Sequence, residues 1–339
     1  MKILSTVTRN YYGQPNSIEP MYLAFTLPLK NRGHHVDHFD HVRLCGEIGP
    51  DACGEKFLST LRHGGYDLVL YQTGGRDFMP RSAIAEAKKF TPIVAWNSDD
   101  DWQWESYSRH ILPCFTYMIT TYPHIYEQHR AQFANLLLSQ WGVMDTYADF
   151  GRKKDIDFSF AGQVYRTRVP ELRRLWWKAG LKVYGLGSIR VWCPPFNHRK
   201  FRETAAKVFP RLNRALELKQ VNDIWNRTKV SYTPMSASVN PKLLQIKGRA
   251  FEMGLSGTVM LCQASPNLER YYEPGKEFVP FDSIEDCMEK ARYYIKHDEA
   301  RQKIAKAYYD RTRSEHLWEH RWDQVFRQIG VGTLSKKVA

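Results

Sequence analysis

Residues 156–187 read IDFSFAGQVYRTRVPELRRLWWKAGLKVYGLG. An apolar, β-rich run ends at Gly162, helical spacing follows over 168–179, and a second β-rich run ends at Gly185 and Gly187. Strand, glycine turn, helix and strand in that order make a parallel β-α-β unit, whose second strand needs a crossover helix to lie beside the first. Downstream the alternation continues through TKVSYTP, a helix running into the apolar strand of LLQIKGRAFEMGLSGTVMLCQ (243–263), EFVPF, and helices over 284–296 and 299–314. Upstream it starts at residue 2, with β-rich KILSTV, HHVDHF, YDLVLYQ, TPIVAWN, FTYMITTY and NLLLSQW separated by helical stretches. The turn-rich DTYADFGRKKD (145–155) divides the two series.

With 339 residues, 43% of them apolar and 14% aromatic, the chain can bury two cores. The expected fold class is α/β: two Rossmann-like domains, 1–150 and 151–339, facing a cleft. Trp318, Trp322 and Val325 are spaced so that the last helix would pack back across the junction. No run approaches the ~18 apolar residues of a membrane span, and the opening apolar stretch is too short for a signal peptide. A cytoplasmic protein is therefore expected. The 6 cysteines show no C-x-x-C spacing, so neither a zinc knuckle nor a disulfide framework is indicated. The net charge of +13 is uneven: residues 1–150 balance at −3 and the remainder at +16. An anionic partner would meet the second half.

On a helix over 243–256, Gln245, Arg249, Glu252 and Ser256 share a stripe roughly 60° wide, flanked by apolar or small residues. A carboxylate in such a place needs a cation or hydrogen-bond donors. Two readings are open: Arg249 pairs with Glu252 at i, i+3, or Glu252 accepts from a ligand's vicinal hydroxyls while Arg249 neutralises a phosphate. Gly257 caps the helix at the start of the strand.

The block GRAFEMGLSGTVMLCQASPNLERYYEPGKEFVPFDSIEDCMEKARYYIKHDEARQKIAKAYYDRTRSEHLWEHR (248–321), with 155–187 and IVAWNSDDDWQW (93–104), resembles the CgeB-like spore-maturation glycosyltransferase family. The resemblance covers most of the chain and is strongest over 155–325. It implies the GT-B fold, a nucleoside diphosphate sugar as donor substrate held by the second domain, and transfer that requires no metal. It also implies that Glu252 binds the donor ribose. In many such enzymes a second glutamate lies upstream near the sugar, where this chain has Leu244 and Gln245.

Around that core the residues propose further contacts. Gly162 and the helix start behind it suit a pyrophosphate, with Arg166 and Arg168 as counter-charge; an ordinary exposed position is the alternative for either arginine. Gly185 and Gly187 allow close backbone approach or simply turn the chain. Gly257 belongs to the donor-binding set, and so does Gly13, in the first strand-to-helix loop. In WNSDDDWQW (96–104), Asp99 or Asp100, or Asp101 beside them, can serve as general base toward an acceptor hydroxyl, or cap a helix and offset its dipole. Trp96, Trp102 and Trp104 can stack on a sugar or belong to the core. HHVDHFDH (34–41) invites a metal reading, but strand alternation splits it between two faces and its spacing matches no metal motif. Segment 188–220, with 8 basic residues against 2 acidic, is either a solvated face or an arm for an anionic acceptor such as DNA or another polyanion. Two other functions fit the residues: a nucleic-acid-modifying glycosyltransferase, and a non-catalytic binder of nucleotide or carbohydrate. The donor sugar and its base, the acceptor, the stereochemical outcome and the oligomeric state stay open at this level.

Overall fold

A computed structural model describes residues 1–10, 18–192, 215–236, 243–265 and 267–331. Gly13 and most of the basic segment 188–220 lie outside the described residues. The chain forms two compact units, one of residues 1–142 with 318–339, the other of 143–317.

The first unit holds a parallel sheet of six strands, β1 (Lys2–Thr6), β2 (His35–His38), β3 (Leu68–Gln72), β4 (Ile93–Asn97), β5 (Tyr117–Thr120) and β6 (Leu136–Leu138), in the order β2-β1-β3-β4-β5-β6. Strands covered on both faces read as unbroken apolar runs, which is why IVAWN is buried throughout. Helices Pro50–Gly64 and Arg81–Ala87 bury Phe57, Leu61 and Ile84 against Val69, Ile93 and Met118. The helical stretch between β1 and β2 is broken into two helices, Pro20–Ala24 and Leu27–Asn31, because Pro28 lacks the N–H that a continuous helix would use.

The last helix, Trp318–Gln328, belongs to this first unit. Trp318 and Trp322 lie 5.3 and 5.9 Å from the Trp96 ring. The Trp322 indole N–H donates to the Ala24 carbonyl at 2.8 Å. Arg321 Nε donates to the Trp141 carbonyl at 2.9 Å, and Arg32 pairs with Asp323. The Trp322 and Arg321 nitrogens are thus satisfied, as burial generally requires, whereas Trp96 Nε1 and Arg32 Nε have no hydrogen-bond partner among the described residues.

The second unit holds a parallel sheet of five strands, β7 (Ile156–Ala161), β8 (Lys182–Tyr184), β9 (Thr228–Tyr232), β10 (Val259–Gln263) and β11 (Val279–Phe281), in the order β11-β10-β9-β7-β8. Helix Val169–Ala179 makes the β7 to β8 crossover and ends at Gly180, whose φ of 69° closes it in the left-handed region. Leu172 and Leu175 on its inner face pack with Phe158, Phe160, Val183, Val230 and Leu261. The chain leaves β7 toward β8 on one side and returns to β9 on the other, so the strand order reverses between β7 and β9. In open α/β sheets the crevice beyond the carboxyl ends at such a reversal is where ligands bind.

Candidate functional site

At the carboxyl end of β7 the strand pairing with β8 continues beyond the strands themselves: Gly162 N donates to Tyr184 O at 3.1 Å and Val164 N to Leu186 O at 2.8 Å. The two glycines between are required by that closeness. Gly185 has φ +117°, and a Cβ on it would run into the Gly162 carbonyl. A Cβ on Gly162, at φ +147°, would stand 2.7 Å from Arg249 Nη2. Gly162 thus makes room for a guanidinium. Arg249 in turn donates to the Ala161 carbonyl at 3.3 Å and lies over the Phe160 ring, 5.3 Å from its centre.

Arg168, in the 3-10 turn Arg166–Arg168 that leads into helix Val169–Ala179, is 2% exposed. Its Nη2 donates to the Ser236 carbonyl, beyond the end of β9, at 2.8 Å, and its guanidinium lies over the Tyr165 ring at 5.0 Å. Among the described residues, Nε and Nη1 have no hydrogen-bond partner. Burial lowers its pKa, with Tyr165, Tyr232 and Glu171 acting the other way. Two unpartnered donors on a buried cation are costly unless an anion meets them. Arg166 beside it is exposed. Tyr232 OH donates to Glu171 Oε2 at 2.8 Å, so that nearby carboxylate is already engaged.

Glu252 follows Arg249 by three residues and feels its charge, yet among the described residues no hydrogen bond engages its carboxylate, the Arg249 guanidinium donating instead to the Ala161 carbonyl. Burial raises its pKa to about 6, partly offset by the Arg249 charge. The simple pairing reading is therefore not what the fold builds, because Arg249 turns toward Ala161 and Gly162. The expected helix over 243–256 is also shorter: only Arg249–Glu252 and the 3-10 turn Met253–Leu255 are helical. Residues 244 and 245 are extended, Leu244 bridging Ser236 and Gln245 N donating to Met235 O at 2.8 Å. Local helical spacing there yields to pairing with the segment after β9, and Gln245 leaves the Glu252 stripe.

Gly162, Arg168, Gly185, Arg249 and Glu252 thus gather about the ends of β7, β8 and β9. Gly257 does not. It precedes β10, at the amino end of the sheet, where φ +72° and the Phe150 carbonyl, 2.8 Å from where its Cβ would stand, account for the glycine. The sequence reading passed over Tyr165 and Ser236. An aromatic next to a basic turn was the available sign for Tyr165, whereas Ser236 contributes only a backbone carbonyl, which no side-chain pattern reveals.

In the first unit the acids follow β4. Asp100 is 0% exposed, and its Oδ1 accepts from Asn97 Nδ2 at 2.6 Å. Burial raises its pKa to about 6 while the Ser108 and Thr120 hydroxyls pull it back. Such a carboxylate holds the turn together and is closed to a substrate hydroxyl, a correction to its expected role as base. Asp99 is exposed and Asp101 half-buried. His124, just beyond β5, feels Asp101 as its principal neighbouring charge; burial lowers its pKa and Asp101 raises it. Trp96 and Trp104 are core residues, while Trp102 is 53% exposed.

The histidine-rich strand is occupied structurally. His38 Nε2 meets Val7 O at 2.7 Å, Asp37 accepts from Tyr66 OH at 2.9 Å, and Asp40 caps its helix through Arg43 N at 3.1 Å. Among the described residues no group of three or more His, Cys, Asp or Glu could hold a metal ion.

The family model described as "Glycosyl transferase-like" matches residues 153–327. A search of curated proteins finds no match. Among solved structures, a glycosyltransferase from Rickettsia africae aligns over 99% of this chain and 99% of its own, with a TM-score of 0.63 at 10% identity. Sucrose-phosphate synthase from Thermosynechococcus elongatus aligns over 97% and 99%, with a TM-score of 0.61 at 12% identity. Anabaena HepE, in complex with UDP and glucose, aligns over 97% and 99%, with a TM-score of 0.59 at 12% identity. At these identities the likeness is one of fold: α/β with two parallel sheets, the GT-B type.

Proposed function

Because the chain belongs to the glycosyl transferase-like family, we propose that its second unit holds a nucleoside diphosphate sugar beyond the ends of β7 and β9, and that the enzyme passes the sugar to an acceptor hydroxyl. The carrying observation is Arg168, a buried guanidinium with two donors that no described residue meets. A diphosphate supplies the missing acceptors and charge. Glu252, near Arg249 but unpaired, takes the ribose hydroxyls. Within the family, the resemblance of the block 248–321 supports a CgeB-like reading.

In transfer, the acceptor oxygen bonds to the anomeric carbon while the bond to the diphosphate oxygen breaks, and the diphosphate leaves with the electron pair. Negative charge grows there, and Arg168, Arg166 and Arg249 would neutralise it. Guanidinium groups alone carry this neutralisation, with no metal. Asp99, the exposed acid after β4, takes the acceptor proton. A cytoplasmic location agrees with the free thiols of Cys45, Cys53, Cys114, Cys262 and Cys287.

HepE structures hold UDP or UDP-glucose, which makes uridine diphosphate the first nucleotide to try. Calorimetric titration with UDP, GDP, ADP, CDP and dTDP should show saturable binding of one of them, lost in Glu252→Ala. Absence of binding to all five would sink the donor reading. Turnover of the matching sugar donor should persist in a chelator.

A further inference from the structure

Helix Val169–Ala179 uses its inner face for the core and its first turn for the proposed donor site; its outer face does neither. Pro170, Arg174, Trp177 and Lys178 are exposed on it at i, i+4, i+7 and i+8, one side of a helix. Trp177 is 77% exposed. Leaving so large an apolar ring in water is unfavourable unless something covers it.

The neighbouring helix Ile284–Lys296 extends the same face. Arg174 pairs with Glu285, and Arg292 Nη2 donates to the Lys178 carbonyl at 3.0 Å, so the two outer sides are joined at both ends. Glu285, Glu289, Arg292, Tyr293 and Lys296 are exposed on it. Tyr293 is 47% exposed, its ring stacked on His297 at 4.1 Å. Four cations, Arg174, Lys178, Arg292 and Lys296, thus stand with two outward aromatics against two acids, one of them neutralised by Arg174.

We propose that this two-helix face docks the enzyme onto an anionic lipid bilayer. Trp177 and Tyr293 enter the headgroup layer, where an amphipathic ring is most stable. Lys178, Arg292 and Lys296 lie over lipid phosphates while Arg174 stays paired with Glu285, and the stems of these cations cover apolar surface. Outward rings flanked by cations on the outer sides of two packed helices are the combination an anionic headgroup layer takes. Among the described residues no helix is long and apolar enough to cross a membrane, so attachment would be peripheral. The proposal does not depend on the donor reading.

Sedimentation of the full chain with vesicles tests it: phosphatidylcholine alone against equal parts phosphatidylcholine and phosphatidylglycerol, at low and high salt. The protein should bind the anionic vesicles only, and release with salt. Lys178→Glu combined with Lys296→Glu should weaken binding by about fivefold or more for each cation removed, and Trp177→Ala should weaken it at every salt concentration. All these positions are exposed, so melting should be unchanged in each variant. Equal binding to neutral vesicles, no binding, or undiminished binding by the variants would overturn the proposal. So would retention of a thymidine homopolymer, lost in the same variants, with no vesicle binding.

Discussion

Replacing Arg168 by methionine separates stability from ligand binding. Arg168 has one hydrogen bond, to the Ser236 carbonyl at 2.8 Å, and two guanidinium nitrogens without partners among the described residues. Exchanging a poorly compensated buried ion for an apolar side chain of similar volume is neutral or stabilising by about 1–4 kcal/mol. Leaving the Ser236 carbonyl unmet costs about 1–3 kcal/mol. At the middle of each range these cancel to within about 1 kcal/mol, so Arg168→Met should melt within about 4 °C of the parent without nucleotide, at roughly 2–4 °C per kcal/mol for a unit of this size. Donor binding has no such compensation. Two charge-assisted hydrogen bonds at about 1.5–3 kcal/mol each correspond to a loss of roughly two to four orders of magnitude in affinity. Differential scanning calorimetry with and without UDP reads both effects: the parent should be stabilised by the nucleotide and the variant not. A variant that melts ten or more degrees lower yet binds UDP as the parent does would refute the reasoning and make Arg168 structural.

Glu252 gives a pH signature. Its folded value, about 6, lies above the ordinary 4.5, so folding favours the protonated form; that contribution is fully present below 4.5 and lost as pH rises through about 6. Glu252→Gln should therefore be more stable than the parent above pH 6, by about 1–2 kcal/mol, and no more stable near pH 4, as denaturant titrations at the two values would show. Parent donor affinity should fall as the pH drops through about 6, because the carboxylate is the form that accepts two hydroxyls. Asp99→Asn should lower kcat with little change in melting, whereas Asp100→Ala, which leaves Asn97 Nδ2 without its acceptor, should lower melting; the opposite pattern would exchange their roles. Trp318→Ala, at a buried ring 5.3 Å from Trp96, should destabilise the first unit by about 3–5 kcal/mol in a chemical denaturation curve.

Most strands were legible because buried parallel strands are apolar runs, as in IVAWN and TVMLC, and Gly162 marks the carboxyl end of β7. What the sequence hid was set by contacts distant along the chain. The extended segment at Leu244 and Gln245 exists because it bridges Ser236 and Met235. Asp99 and Asp100 are adjacent and alike in sequence, and only packing exposes one and closes the other. Gly162 was read as space for a ligand; part of that space belongs to Arg249. Gly257 has the φ of a helix terminator and sits at the amino end of β10, away from the proposed donor site, a distinction that strand direction decides and composition does not.

Diffraction from crystals grown with UDP tests the central claim most directly. The diphosphate should lie beyond the ends of β7 and β9, within hydrogen-bond distance of Arg168 Nε or Nη1, with Glu252 on the ribose. Nucleotide bound elsewhere, with Arg168 still unmet, would contradict the account.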